Sequence, residues 1–539
     1  MLRASTLILI LNSAFASDVL LTNGRIYTGN EKQPWVQALA ISGTRIDIAG
    51  SDAEILSRKQ ARTKIIDLQG RTVLPGLIDS HTHLWMGALA LHGFNLATPE
   101  VYVEPKDEAA FLSKLRGYAS AHPKDKVLFG RVQFPREATH ELLDRAVPDR
   151  PVVIHAPTEH EYWVNAKALA MAGISDKPLA DPEMEKFVVR DKAGKPTGVL
   201  RDAAMLLIER TLPKQALSEK ADWMREALLY MNRFGVTSVT NASGDLAELE
   251  IYKALRDRGQ LTIRVRMAFA NVGKKHVLTP QLLADLEKAR KTYNDEWISA
   301  NLVKFFSDGA GGPPLYEPEE FRAIVTELDK RGFQIMTHAI GAGPAKMVVD
   351  AYQAVIETNG PRDRRLRMEH AMNVPMPEVS RMGKLGINAS MQPAFCCFSD
   401  RPDAPSNVWQ SMRTNQVNVA FGSDWPCSWP PAPLDGIQQA VERQLRQLFT
   451  PPAPNPNPSF VSPNERLTVE QAVAAYTRAG AFARFSENRL GTLEPGKEAD
   501  LAVLSQDIFT AQPRDIGKSR VALTMVGGKV VFDDRQQNK

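Results

Sequence analysis

Between residues 236 and 423 the sequence alternates short apolar runs with amphipathic stretches of helix length, and nothing else in the chain narrows its fold so far. That alternation reads as βα units, whose strands lie parallel and bury both faces. The runs fall at 73–79, 236–241, 262–269, 301–306, 334–338, 366–370, 387–392 and 418–423. Eight strands with helices between them predict an α/β fold, a closed (β/α)8 TIM barrel. One connecting helix is expected from about Pro344 to Thr358, with Met347, Val348, Ala351 and Val355 on one stripe and Gly360 at its end. Another is expected over about Glu219 to Phe234, with Ser218 as N-cap and Gly235 as the residue beyond it.

The ends read differently. Val19–Thr22, Asn23-Gly24 and Arg25–Thr28 predict a two-residue hairpin, and Val36–Ile41 with Arg45–Ile48 a second one. In the tail, Ala499–Leu504 alternates as a strand, and Val521–Val526 with Lys529–Phe532 flank a Gly527-Gly528 turn. Neither end holds enough strands for a core, so both together are expected to build one small β-sandwich. The interval between the first two barrel strands far exceeds an ordinary βα connection. Residues 95–215 are therefore read as a subdomain inserted after strand 1. It leaves the C-terminal face of the barrel, where active sites lie, and so roofs the site. The division is then 1–16 leader, 17–72 and 486–539 sandwich, 73–94 and 216–485 barrel, and 95–215 insert.

A chain of 539 residues exceeds one ordinary core, and 43% hydrophobic with 24% charged residues suits a soluble globular protein. The net charge of +4 comes without a long basic run, which argues against nucleic acid as a partner. Met1-Leu2-Arg3, the apolar run Leu7–Leu11 and Ala14-Phe15-Ala16 read as a signal peptide cleaved before about Ser17, predicting a periplasmic or secreted protein. No later run is long enough to span a bilayer. Self-association as a homo-oligomer is left open. The three cysteines, Cys396, Cys397 and Cys427, lack the spacing of a zinc–thiolate site, and a bridge to Cys427 is allowed but not required. Any metal must be held by imidazole and carboxylate.

Histidines stand at the ends of successive predicted strands. In Asp79-Ser80-His81-Thr82-His83, residues two apart on a strand project from one face, so both imidazoles can grip one ion. His338 follows the apolar run 334–337, and His370 follows Met368-Glu369. Either alone is an ordinary polar residue at a strand end; their repetition around one rim points to metal. Asp424, in Phe421-Gly422-Ser423-Asp424-Trp425-Pro426, closes the set. It can sit at the metal, take the proton of bound water and return it to a leaving nitrogen. With thiolate absent, zinc takes imidazole nitrogen and carboxylate oxygen, and its bound water ionises near pH ~7. Lys304 lies inside the apolar strand 301–306. On the residues alone a snorkelling or salt-bridged lysine is the simpler reading. Burial beside metal would instead favour its neutral amine, which can add carbon dioxide to become a bridging carbamate. Trp85, Phe395, Phe398, Trp425 and Trp429 fall near the same rim and are either packing or an apolar wall for substrate.

These segments together resemble the amidohydrolase superfamily, and within it the amidohydrolase-3 (YtcJ-like) branch. The matching runs are Gly76–His83, Val303–Gly309, Thr337–Gly341, Met368–Ala371 and Phe421–Pro426, with Trp163–Ile174 and Gly194–Leu200 in the insert and Gly491–Leu504 in the tail. The resemblance implies one or two divalent ions, zinc by preference. It implies His81 and His83 on the first, a carboxylated Lys304 as bridge, His338 and His370 on the second, and Asp424 as ligand and base. It implies hydrolysis of a carbon–nitrogen bond in a small N-acyl, N-formyl or cyclic amide. An imidodipeptidase, a deaminase or a non-catalytic periplasmic regulator are the alternatives. In this branch the insert usually carries Asp-Gly-His; here the run is Thr158-Glu159-His160, so His160 is retained as a candidate that reaches the substrate.

Overall fold

The computed structural model describes residues 17–95, 108–132, 139–156, 160–212, 215–270, 278–309, 314–396, 406–443 and 462–534. Eight parallel strands follow one another around a single sheet. They are β1 (Leu77–Thr82), β2 (Val236–Gly244), β3 (Arg264–Phe269), β4 (Ile298–Phe306), β5 (Gln334–Ile340), β6 (Arg367–Met372), β7 (Asn388–Met391) and β8 (Val419–Phe421). Just beyond β8 the Asp424 amide donates to the His81 carbonyl of β1 at 2.7 Å, so the sheet curls back on itself as the predicted TIM barrel. Register puts Lys304 opposite Met336, and His338 opposite Glu369, at neighbouring strand ends.

The first strand needs correction. Thr72–Pro75 belongs to another sheet, and the barrel strand begins at Leu77. Pro75-Gly76 carries the chain from one sheet to the other. A Cβ at Gly76 would lie 2.3 Å from Thr237 Oγ1, so only glycine permits the close approach to β2. The helix predicted from Pro344 runs Ala342–Asn359 between Gly341 and Gly360. The other runs Leu217–Asn232, with its N-cap at Ala216 and its C-cap at Arg233. Ser218 is thus inside the first turn and caps nothing, while Gly235 (φ 79) turns the chain into β2 a step later than expected.

The chain ends form two facing sheets. One orders Arg45–Gly50, Ala38–Ser42, Val19–Thr22 and Lys64–Asp67; the other orders Lys529–Asp533, Val521–Val526, Leu501–Leu504, Thr72–Pro75, Arg25–Tyr27 and Trp35–Val36. Leu21, Leu39 and Ile41 from the first pack with Ile26, Val73, Leu501 and Leu523 from the second. The two ends therefore share one core, and Leu74 pairs directly with Ala502. The hairpin expected at Asn23-Gly24 does not form, since Val19–Thr22 and Arg25–Tyr27 lie in different sheets. Val19–Thr22 is apolar on both sides, takes partners on each edge, and leaves no edge for the next strand. The Ala38–Ser42/Arg45–Gly50 and Val521–Val526/Lys529–Asp533 hairpins do form.

Within the insert a six-stranded sheet orders Val188–Arg190, Pro196–Arg201, Glu161–Val164, Val152–His155, Leu128–Arg131 and Phe94–Asn95. It has an apolar core on each face, around Phe111, Leu115 and Trp163 on one side and Val153, Tyr162 and Leu200 on the other. Among the described residues no helix is long and apolar enough to cross a membrane. Cys427 is a thiol, so the bridge allowed to it is not made. The leader at 1–16, Cys397, Phe398 and nearly all of the loop 451–463 lie outside the described residues.

Candidate metal centre

His81 and His83 leave the end of β1 with their Nε2 atoms 3.3 and 3.0 Å from one oxygen, Asp424 Oδ1. His370, at the end of β6, places Nδ1 4.0 Å from the other carboxylate oxygen. One ligand atom each from His81, His370 and Asp424 falls within 4.8 Å of the others. The His338 ring is 4.4 Å from that of His370, and Lys304 Nζ, on β4, sits over the Phe306 ring beside them. The structure thus brings all six rim candidates together, and all are buried.

The backbone bends to present them. His370, Ala371 and Asp424 have φ of 65°, 47° and 57°, left-handed conformations that cost energy in residues bearing a Cβ. Such strain persists where neighbours hold it. Asp79 does this for β8: its carboxylate accepts from the Ser423 amide at 2.9 Å, the Ser423 hydroxyl at 2.5 Å and the His81 amide at 3.1 Å. Glycine at 422 is required here, because a Cβ would lie 2.4 Å from the His81 nitrogen.

Three of the four imidazoles, His81, His83 and His370, are held through Nδ1, which leaves Nε2 for a metal as is common in metal-binding histidines. His81 Nδ1 meets Glu369 Oε2 at 2.5 Å, and Arg367 in turn holds that carboxylate at 2.8 and 3.0 Å. His83 Nδ1 meets Ser243 Oγ at 2.6 Å, and His370 Nδ1 meets Gln392 Oε1 at 2.7 Å. His338 Nε2 lies 3.4 Å from Asp308 Oδ2. Glu369, Arg367, Ser243, Gln392, Asp308 and Asp79 escaped the sequence reading. A signal existed for three of them: Glu369, Arg367 and Asp79 are charges inside apolar runs.

Burial pushes the His370 imidazole down to about 3, with His338 adding to the effect, and it holds His81 and His338 below their ordinary value. All three are neutral at physiological pH and can offer lone pairs. Burial likewise brings the Lys304 ammonium down to about 8, although Glu369 and Asp424 resist it. Burial alone would raise Asp424, but His81, His83 and His370 outweigh it and keep the carboxyl well below the usual range.

His160 stands on the insert with its ring 6.4 Å from that of His338, so the insert does reach the barrel mouth. Phe306 flanks His338 at 5.7 Å, and Phe395 stacks on His370 at 6.3 Å. Trp425 and Trp429 are buried against Tyr230 and each other, and Trp85 stacks on Trp223, so these three serve packing.

A (β/α)8 barrel with imidazoles and a carboxylate gathered at the C-terminal ends of its strands has the architecture of metal-dependent hydrolases. The model of the amidohydrolase family (Amidohydro_3) matches residues 64–532, and the chain belongs to that family. It is 30% identical to Protein LONG AFTER FAR-RED 3 of Arabidopsis thaliana, over 96% of this chain and 92% of that one. It is 25% identical to an N-substituted formamide deformylase of Arthrobacter pascens, over 96% and 98% of the two chains. A putative amidohydrolase YtcJ of Bacillus subtilis is 26% identical over 95% and 98%. Among solved structures, an uncharacterized metal-dependent hydrolase of Pyrococcus horikoshii shares the fold with a TM-score of 0.72 at 22% identity, covering 92% of this chain and 99% of that one.

Proposed function

We propose that this chain hydrolyses a carbon–nitrogen bond of a small amide, N-acyl, N-formyl or cyclic, at one or two divalent ions, zinc by preference. The observation that carries the reading is a set of buried polar atoms that crowd together without a well-formed hydrogen bond: His81 Nε2, His338 Nε2, Lys304 Nζ and Asp424 Oδ1, whose nearest approaches include His83 to Asp424 at 3.0 Å and His338 to Asp308 at 3.4 Å. Buried polar atoms are ordinarily satisfied, and leaving four together would cost several kcal/mol at ~1–3 kcal/mol each. Three of them are neutral or anionic donors of lone pairs at neutral pH, and Lys304 becomes one on losing its proton. The set fits a cation.

His81, His83 and Asp424 would hold the first ion, His338 and His370 the second. Lys304 would join the donor set as a carbamate oxygen if its neutral amine added carbon dioxide and released a proton. A divalent ion in this place supplies acidified water and a polarised carbonyl. The chain's own residues do the rest. The Asp424 carboxylate would accept the water's proton and pass it to the leaving nitrogen. Glu369, Ser243 and Gln392 hold the imidazoles so that nothing must reorganise during reaction. Phe306 and Phe395 keep the mouth apolar, and His160 faces the substrate from above. The formamide deformylase among the relatives supports the amide reading. Export to the periplasm or medium belongs to the proposal; N-terminal sequencing of protein from its own host checks it, and retention of residues 1–16 removes it.

Metal content and hydrolysis of a panel of formamides, N-acyl amino acids and small lactams, with and without chelator, test the reading. Chelator-sensitive turnover of one class is expected. Metal-replete protein that cleaves none of them favours a non-catalytic role.

A further inference from the structure

The helix that follows His83 is capped from a neighbouring strand. It runs Leu84–His92 with His83 at its N-cap, and the His83 side chain makes no capping bond. That position ordinarily holds a Ser, Thr, Asp or Asn whose oxygen accepts from the first amides. Here the His83 ring is turned instead to Asp424 and Ser243. Asn241 of β2 supplies the acceptor: its Oδ1 takes the Leu84 amide at 3.0 Å. Its Nδ2 donates to Glu248 Oε1 at 2.8 Å, and the Tyr252 hydroxyl donates to the same oxygen. Both ends of the side-chain amide, acceptor and donor, are thus in use. Glu248 and Tyr252 lie on the helix Leu246–Asp257, whose start Asp245 caps through the Glu248 amide at 2.8 Å. All three side chains of the relay are buried. β2 therefore holds His83 at two points, with Ser243 on the ring and Asn241 on the amide that follows it.

We propose that Asn241 is a positioning residue for the metal centre: it pins the backbone beyond His83 and so sets where His83 Nε2 stands beside Asp424, while Glu248 fixes the orientation of Asn241. This rests on the metal-dependent hydrolase reading above. A ring held through Nδ1 still moves with its own Cα, so the bond from Ser243 alone does not place the other nitrogen. A binding constellation works when its groups are held to within ~0.5 Å, by side chains that are themselves locked. The His83 amide is tied on one side, donating to the Trp425 carbonyl at 2.7 Å, and the Leu84 amide on the other. The cap of this helix and the aim of the ligand are therefore one interaction, reaching the mouth from the helix Leu246–Asp257.

Zinc is the probe. Its equilibrium binding to the full-length protein is read by competition with a chromogenic chelator, beside thermal unfolding of the metal-free form. Zinc affinity should fall ~10–100-fold in Asn241→Ala, the usual loss when a group that orients a metal ligand is removed. Arg264→Met, at the opposite end of the barrel where β3 begins, controls for lost stability: it should lower the Tm and keep the wild-type zinc affinity. Glu248→Leu removes the acceptor at similar size and should also weaken zinc binding, whereas Glu248→Gln keeps an acceptor oxygen and should retain it. That pair carries the test if Asn241→Ala does not fold. Wild-type affinity in Asn241→Ala or Glu248→Leu overturns the proposal, as does an equal loss in Arg264→Met or in Glu248→Gln. Wild-type protein that takes up no stoichiometric zinc instead overturns the hydrolase reading.

Discussion

The barrel carries a buried polar cluster at each end of its strands, and the two are built on opposite terms. At the N-terminal end Arg264 donates to Asp500 at 2.8 and 3.1 Å and to Glu498 at 3.0 Å, while Arg266 donates to Gln334 at 2.7 Å and to the Arg484 carbonyl at 2.9 Å. The Arg264 charge is answered by two carboxylates and ties the barrel to the tail of the chain, while Arg266 Nε, Arg484 Nε and Glu498 Oε1 keep no hydrogen-bond partner. At the C-terminal end, lone pairs and an amine converge on a common space and leave each other unsatisfied. Both clusters are costly to desolvate. The difference lies in the kind of atom left over: at the mouth it is mostly imidazole nitrogen and carboxylate oxygen, which can share a cation and make a socket, and at the base it is mostly guanidinium N–H, which has no lone pair to offer a cation and makes a fastening.

Experiments can break that contrast. Chelation followed by dialysis should abolish turnover, and zinc should restore it; activity that survives verified metal loss would make the mouth a fastening too. Arg264→Met should cost ~3–5 kcal/mol of stability by stranding two buried carboxylates, yet leave kcat and metal content of the folded fraction unchanged. Denaturant unfolding and metal analysis read both; a change in metal content would couple the two ends. Asp424→Asn should keep metal while kcat falls ~10²-fold or more, and unchanged turnover removes Asp424 from the chemistry. Glu369→Gln should weaken metal binding ~10–100-fold by releasing His81, read as the zinc activity at which the site half-fills.

The smallest effect sharpens the comparison from a third place. Glu248, between Asn241 and Tyr252, is pushed up to about 8 by burial. A carboxyl raised in the fold supports stability fully below its unfolded value, near 4.5, and that support is lost as pH climbs toward 8. Glu248→Gln should therefore gain on the wild type between about pH 5 and 9, by ~2 °C in Tm or more. A constant difference across that range would show that Glu248 is not buried protonated.

Much of this was legible from composition along the chain. Seven barrel strands and the candidate ligands could be read because a strand buried on both faces must be continuously apolar, so a histidine or lysine at its end stands out. The orienting residues could not. Ser243, Gln392 and Asp308 are common residues at strand ends, and nothing local says which ring nitrogen they face.

What the sequence determined by itself was local: strand and helix periods, the glycines beyond helix ends, and the chemical type of each rim residue. What the tertiary structure decided was pairing. It separated Val19–Thr22 from Arg25–Tyr27 into different sheets, joined Leu74 to Ala502, and set His160 against His338. Periodicity depends on neighbours in the chain, whereas the choice of partner is made by burial and hydrogen-bond satisfaction over the whole fold, which no short window of residues contains.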